Sequence, residues 1–201
     1  MRRLVFFARA PQSGLVKTRL ARCLGENEAL KAYCILAQSV LSTLARSREV
    51  VIRYSPDNAQ IDIEPWLQPG WTSEPQGLGE LGDRLARCFE SLFCRGASSI
   101  VVVGSDCPYI EESDLESAWT SLQTQDMVLG PAADGGYWLI GLNRFYPSVF
   151  AGVDWGTDKV LEQTVERAKL AGLSVARLRQ LSDVDTIEDW KTFLQHRSRP
   201  I

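Results

Sequence analysis

Histidine is almost absent from this chain: of 201 residues the only one is His196, close to the C-terminus. That scarcity removes His-ligated zinc, Ser-His-Asp and Cys-His mechanisms, and leaves carboxylates, lysine, arginine and a bound metal ion to carry any chemistry. Paired cysteines are missing too. Cys23, Cys34, Cys88, Cys94 and Cys107 contain no C-x-x-C spacing, and their odd number does not make a secreted disulfide framework, so free thiols in a reducing compartment are expected. No charge excess exists either, since 22 basic and 25 acidic residues leave a net charge of −3. A general nucleic-acid or acidic-membrane binder is thereby excluded, and any anion site must be local. No apolar run approaches the ~18 residues of a membrane span. Met1 to Phe7 is too short, and too soon interrupted by Arg9, to act as a signal peptide, so a cytoplasmic location is expected.

What is present is ordinary globular composition, 45% hydrophobic and 23% charged, enough for one α/β domain over residues 1–201. Strand and helix patterns alternate. Arg3 to Ala8 and Glu49 to Tyr54 read as strands on either side of a helix from Glu26 to Arg46, whose Tyr33, Leu36, Ala37, Val40, Leu41 and Leu44 share one face. Pro56 to Pro75 is rich in turn residues, Leu78 to Phe93 reads as a helix, and Ile100 to Val103 as a buried strand. Ser113 and Glu116 form a capping-box pattern for a helix to Leu122, followed by strands at Met127 to Leu129 and Tyr137 to Leu142. A helix from Thr157 to Ala171, a strand from Ser174 to Leu178 and a last helix capped by Asp185 with Glu188 complete the chain. This rhythm implies a twisted, mainly parallel sheet with helices on both faces.

Two segments carry the strongest chemical signal. In IVVVGSDCP (100–108) a buried strand ends in glycine and then presents Asp106, and in GPAADGGYWLIGL (130–142) Asp134 stands beside Gly135 and Gly136 at the mouth of another apolar strand. Ligands of open α/β sheets bind outside the carboxyl ends of the strands, where a carboxylate can hold the metal of a nucleotide. As a plain turn residue before Pro108, Asp106 would do less, and the Asp-Gly-Gly run by itself reads most simply as a hairpin turn. The aromatic neighbours Tyr137 and Trp138 offer surface for a base or sugar. In the first loop Gly14 permits backbone N–H groups to turn toward an anion while Lys17 and Arg19 bring positive charge, although the second glycine of a Walker A loop is missing. Two cations opening a helix oppose its dipole, which points to a bound anion.

Gly77, Gly79 and Gly82 in GLGELGDR match the dinucleotide fingerprint in letters, but the preceding WTSEPQ is not an apolar strand. An NAD(P)-dependent oxidoreductase is therefore a minor alternative. A base-recognition loop fits better, with Gln76 as amide donor and acceptor and Arg84 on the following helix. Asp183 and Asp185 supply a further carboxylate pair, of which Asp185 is also a good helix cap.

In order along the chain, FARAPQSGLVKTRLA, QGLGELGDRL, VVVGSDCP, LGPAADGGYWLIGL, DWGTDKVLEQT and DVDTIEDW resemble the selenodomain-associated, glycosyltransferase-like family of the nucleotide-diphospho-sugar transferase (GT-A) superfamily, over nearly the whole chain. The resemblance implies a GT-A-type, Rossmann-like fold and a Mg²⁺- or Mn²⁺-dependent transferase. It implies phosphate contacts by Lys17 and Arg19, and base or ribose contacts around Gln76 and Gly77, in a nucleotide site that also takes in Ala8, Pro11, Gly14, Ser105 and Asp106. Metal at Asp106, Asp183 and Asp185, and acceptor or sugar contacts at Asp134, Gly135, Gly136 and Tyr137, follow from the same match; with a nucleotide-sugar donor Asp134 becomes the candidate general base. The chain departs from the pattern at Arg9, where lysine is expected, and in lacking a D-x-D motif at Asp106, which Ser105 and Cys107 flank. Guanylyl or cytidylyl transfer to a phosphorylated or carboxylate acceptor therefore stands beside glycosyl transfer, with a nucleotide binder without chemistry as the non-enzymatic alternative.

Overall fold

The structure, a computed structural model, describes residues 1–197. Its strands are β1 (Arg2–Arg9), β2 (Val50–Ser55), β3 (Thr72–Pro75), β4 (Ser99–Gly104), β5 (Met127–Pro131), β6 (Tyr137–Leu142) and β7 (Val175–Arg177). They form one sheet in the order β3-β2-β1-β4-β6-β5-β7, in which only β6 runs antiparallel to its neighbours. The helices are α1 (Thr18–Leu24), α2 (Glu26–Leu44), α3 (Gln60–Ile63), α4 (Leu81–Cys94), α5 (Glu112–Ser121), α6 (Val160–Leu170) and α7 (Ile187–Arg197).

Strands buried on both faces read as continuous apolar runs, and their alternate residues feed two cores. Leu4, Phe6, Val101 and Val103 pack with Ala37, Val40 and Leu41 of α2 and with Leu115 and Ala118 of α5 on one face. Val5, Phe7, Ile100 and Val102 pack with Leu85, Phe89 and Leu92 of α4 and with Ala168 of α6 on the other. The expected mainly parallel sheet with helices on both faces is the fold observed.

Several local expectations change. The turn-rich stretch after β2 contains β3, a short edge strand beside β2 whose polar residues suit an edge exposed to water. A strand therefore does run into the glycines of GLGELG. The helix behind them nevertheless opens with a capping box of Glu80 and Asp83, which puts two carboxylates where the fingerprint would set a pyrophosphate. At α5 the capping box is Glu111 with Asp114, not Ser113 with Glu116, and Asp114 is fixed by two contacts from Arg179 at 2.7 and 2.8 Å. At α7 the cap is Thr186 with Asp189, whose carboxylate accepts from the Thr186 N–H at 2.8 Å and hydroxyl at 2.7 Å, and this leaves the side chain of Asp185 free of capping. Gly25 (φ 82°) separates α1 from α2, so the first loop leads into an extra short helix.

Candidate active site

β1, β4, β5 and β7 point the same way, so the segments that follow them gather at one edge of the sheet. Asp106 follows β4, the Asp134 turn joins β5 to β6, and Asp183 and Asp185 follow β7. Backbone hydrogen bonds fix their spacing: Val184 N–H donates to Asp106 O at 3.0 Å, and Ala133 N–H to Leu181 O at 2.9 Å. Val184 is fully buried beside Leu36 and Phe193. An extended chain alternates its side chains, so this burial sends Asp183 and Asp185 to the opposite side.

Lys17 is the centre of charge. Its ammonium lies 2.5 Å from Asp106 Oδ1 and 2.8 Å from Asp185 Oδ1, and only 4% of its side chain is exposed. Burial works against its charge, but the two carboxylates outweigh that penalty and hold Lys17 above its ordinary pKa. It is also the one non-glycine residue with positive φ (47°) among the described residues, a local strain of the kind found at functional sites. The expected unfavourable pairing of Lys17 with a helix dipole is therefore not what the structure contains, because its charge is already matched by two carboxylates. Arg19 on α1 is exposed and makes no ion pair among the described residues. Asp183 is crowded: burial, then the charges of Asp106 and Asp134, lift its carboxyl to about 7 against the opposing pull of Lys17, with Asp185 adding to the rise.

Two clefts meet here, of about 610 and 580 Å³, and both are lined by Phe7, Arg19, Leu81, Asp106 and Asp185. The smaller lies over the end of β1 and holds Ala8, Lys17, Gln76, Arg84 and Ser105, with Arg9 and Tyr33 added by the structure. The larger lies over β4, β5 and β6 and holds Asp134, Gly136, Tyr137 and Asp183, with Trp155 and Asp158 added. Pro11, Gly14, Gly77 and Gly135 line neither.

Each of the last three glycines has a packing reason. A Cβ on Gly14 would press on the Glu26 carboxylate at 3.3 Å, one on Gly77 would strike the Arg87 guanidinium, and one on Gly135 would come 2.6 Å from the Asp158 carbonyl carbon. Gln76 is 4% exposed and spends its amide N–H groups on Ala8 O and Arg53 O, both at 3.0 Å, so it holds β1 against β2 instead of offering a free donor to a base. Tyr137 lines the larger cleft, while its hydroxyl is buried toward Thr164 with no hydrogen-bond partner among the described residues. Trp138, expected as ligand surface, is 2% exposed and donates to Arg179 O at 3.3 Å. Cys107, next to Asp106, is inert, its thiol pushed by burial up to about 12. Tyr33, buried between the ends of β1 and β4, donates to Arg9 O at 2.7 Å.

Among the described residues no three carboxylate, thiol or imidazole side chains converge closely enough to hold a metal as they stand. The donor chemistry fits a hard cation all the same. Asp106 and Asp185 contact the Lys17 ammonium, Asp183 feels the charges of Asp106, Asp134 and Asp185, all donors are carboxylate oxygens, and oxygen donors suit Mg²⁺ or Mn²⁺.

Residues 40–157, more than half of the chain, match the DUF2064 family, described as an uncharacterized protein conserved in bacteria. This chain is a member of that family. It is also similar, at 33% identity and TM-score 0.92 over 98% of this chain and 88% of the other, to a crystal structure named "putative nucleotide-diphospho-sugar transferase" from Desulfovibrio desulfuricans G20. More distant structures share the fold alone. One is a 4-diphosphocytidyl-2C-methyl-D-erythritol synthase from Anaerococcus prevotii DSM 20548, with 10% identity, TM-score 0.65 and 98% of each chain covered. Another is a Mycobacterium tuberculosis H37Rv protein in complex with manganese, with 16% identity, TM-score 0.57, and 97% of this chain and 99% of the other covered. No curated protein matches the sequence. No helix among the described residues is long and apolar enough to cross a membrane.

Proposed function

We propose that this DUF2064 member is a metal-dependent transferase that binds a nucleotide-activated donor in the smaller cleft and delivers a glycosyl group into the larger one. The observation that carries the reading is the meeting of two clefts at Asp106 and Asp185, since a transferase needs two substrates in contact at one charged point. The smaller cleft has the cations for phosphate, namely Arg9, Lys17, Arg19 and Arg84. The names of the similar structures support the same class.

Asp106 and Asp185, with Asp183 beside them, are the residues to hold Mg²⁺ or Mn²⁺, which when bound would neutralise charge on the leaving phosphates. Arg19, exposed and unpaired at the junction, stabilises negative charge that develops there, and Lys17 adds a second positive charge from beneath. Asp134 is exposed in the larger cleft, and its Oδ1 accepts from the Gly136 N–H at 2.9 Å. It is the group placed to take a proton from an acceptor hydroxyl. Nucleotidyl transfer is the second reading, favoured by the lone Asp106, which has Gly104 and Pro108 at the positions two residues away where a D-x-D motif would carry its second carboxylate.

Thermal-shift measurements with nucleotides and nucleotide-sugars, with and without Mn²⁺, test the assignment. A ligand at about 100 times its dissociation constant adds ~2.7 kcal/mol, or ~5–10 °C for a chain of this size. Asp106→Asn should abolish the Mn²⁺-dependent part while preserving the apo melting temperature within a few degrees. A Mn²⁺-dependent shift that survives in Asp106→Asn would overturn the metal assignment, and no nucleotide-dependent shift in the wild type would overturn the whole reading.

A further inference from the structure

The two clefts differ in charge. Among the described residues the larger one is lined by five carboxylates, Asp106, Asp134, Asp158, Asp183 and Asp185, with Arg19 as its only cation, whereas Arg9, Lys17 and Arg84 join Arg19 in the smaller one. Arg19 sits where the clefts join, on the side of the donor phosphates, so the far part of the larger cleft has carboxylates and no cation to meet an anion.

That far part also has an aromatic wall. Trp155 lines it from the loop before α6, and its indole lies directly against Gly82 of α4, where a Cβ would stand 2.5 Å from Trp155 Cε2. Glycine in the first turn of α4 costs helix stability, and here it makes room for the ring. The loop is pinned from the other end as well: Leu161 N–H donates to Gly135 O at 2.9 Å, and Gly135 has no Cβ to strike Asp158. Asp134 and Asp158 are thus brought to one wall and Trp155 to another.

We infer that Trp155, with Asp134 and Asp158, makes the larger cleft selective for an uncharged, polyhydroxylated group, and that phosphorylated or carboxylated acceptors are excluded. The inference rests on the transferase reading above and decides the acceptor class within it. Carboxylates accept hydrogen bonds from hydroxyl groups but repel anions, and the electron-rich face of an indole favours the C–H-bearing face of a sugar ring.

Saturation-transfer NMR in Mg²⁺ tests it without nucleotide or turnover, using matched probes: glucose with glucose 6-phosphate, myo-inositol with inositol 1-phosphate, and glycerol with glycerol 3-phosphate. Binding to this cleft is the portion lost in Trp155→Ala. The neutral member of at least one pair should show that Trp155-dependent signal, its phosphate should bind about tenfold or more weakly, and Asp134→Asn/Asp158→Asn should narrow the gap. A phosphate that binds through Trp155 as well as its neutral partner, a panel in which no neutral probe binds, or a gap unchanged in the double variant would overturn the inference. Failure here with Mn²⁺-dependent nucleotide binding intact refutes the acceptor class alone, whereas loss of both removes the transferase reading.

Discussion

Asp183→Asn in the metal-free protein is the most direct test of the crowded carboxylates. Burial and the neighbouring Asp106 and Asp134 raise the Asp183 carboxyl from 3.8 to about 7, with Asp185 adding to the effect and Lys17 opposing it. Between those two values the folded state holds a proton that the unfolded state has lost, so stability falls as pH rises through the window. Each unit corresponds to ~1.36 kcal/mol, so the full rise is worth ~4 kcal/mol, of which somewhat more than half accrues between pH 5 and pH 8. The side chain is partly exposed, and solvent screening reduces that portion to ~1–2 kcal/mol. Asparagine cannot ionise and escapes the penalty. In EDTA the melting temperature of the variant should therefore gain on the wild type by ~3–6 °C between pH 5 and pH 8. Mn²⁺ at pH 8 should narrow that lead by stabilising the wild type more. Parallel melting curves for the two proteins across this range would refute the argument that charge crowding exists at the site.

Two further outcomes follow from the packing and the chemistry. Gly82→Ala gains at most ~1 kcal/mol of helix propensity, but its Cβ overlaps the Trp155 indole and overpacking costs ~1–3 kcal/mol, so urea denaturation should find the variant unchanged or less stable, with altered tryptophan emission; a variant more stable by ~1 kcal/mol would show that Trp155 does not lie against this helix. Asp134→Asn can still accept the Gly136 N–H, so the fold and donor affinity should survive while hydrolysis of whichever donor stabilises the protein falls by ~10²-fold or more, and equal rates would remove Asp134 as general base.

Long-range placement and short-range detail were not equally legible in the sequence. β1, β4 and β6 declared themselves as apolar runs because both of their faces are buried. Asp106 and Asp134 were visible because one stands just past β4 and the other just before β6. β3 was hidden, since an edge strand needs only one paired side and TSEP carries no apolar signature. Both mistaken capping boxes had a competing carboxylate within a few residues, and the choice was made by tertiary contacts: Arg179 fixes Asp114, and Asp189 rather than Glu188 closes on Thr186. Trp155, Asp158 and Tyr33 carried no local signal of a site. Trp155 reaches the cleft only because Gly82, 73 residues earlier, leaves space for it. Gln76 shows the reverse case: amide N–H groups suited to reading a base are spent on tying two strands together.

The pairing of Lys17 joins the first loop to the segments that follow β4 and β7. Unlike charges 2.5 and 2.8 Å from one ammonium, Asp106 and Asp185 are held within reach of each other although they come from segments 79 residues apart. Their own side chains are 47% and 42% exposed, so Lys17 is the buried partner and the carboxylates are the ones that face solvent. A cation that entered from the clefts would meet the carboxylates first and Lys17 behind them. Lys17 then acts as a fixed counter-charge that limits how far Asp106 and Asp185 can spread, while Val184 N–H to Asp106 O limits the backbone. Arginine there would bring a planar fork in place of a compact ammonium and would change the geometry in which the two carboxylates are held. Lys17 also carries the strained φ, at the step where the chain leaves the first loop and α1 begins, so the strain coincides with the buried ammonium beneath the charges.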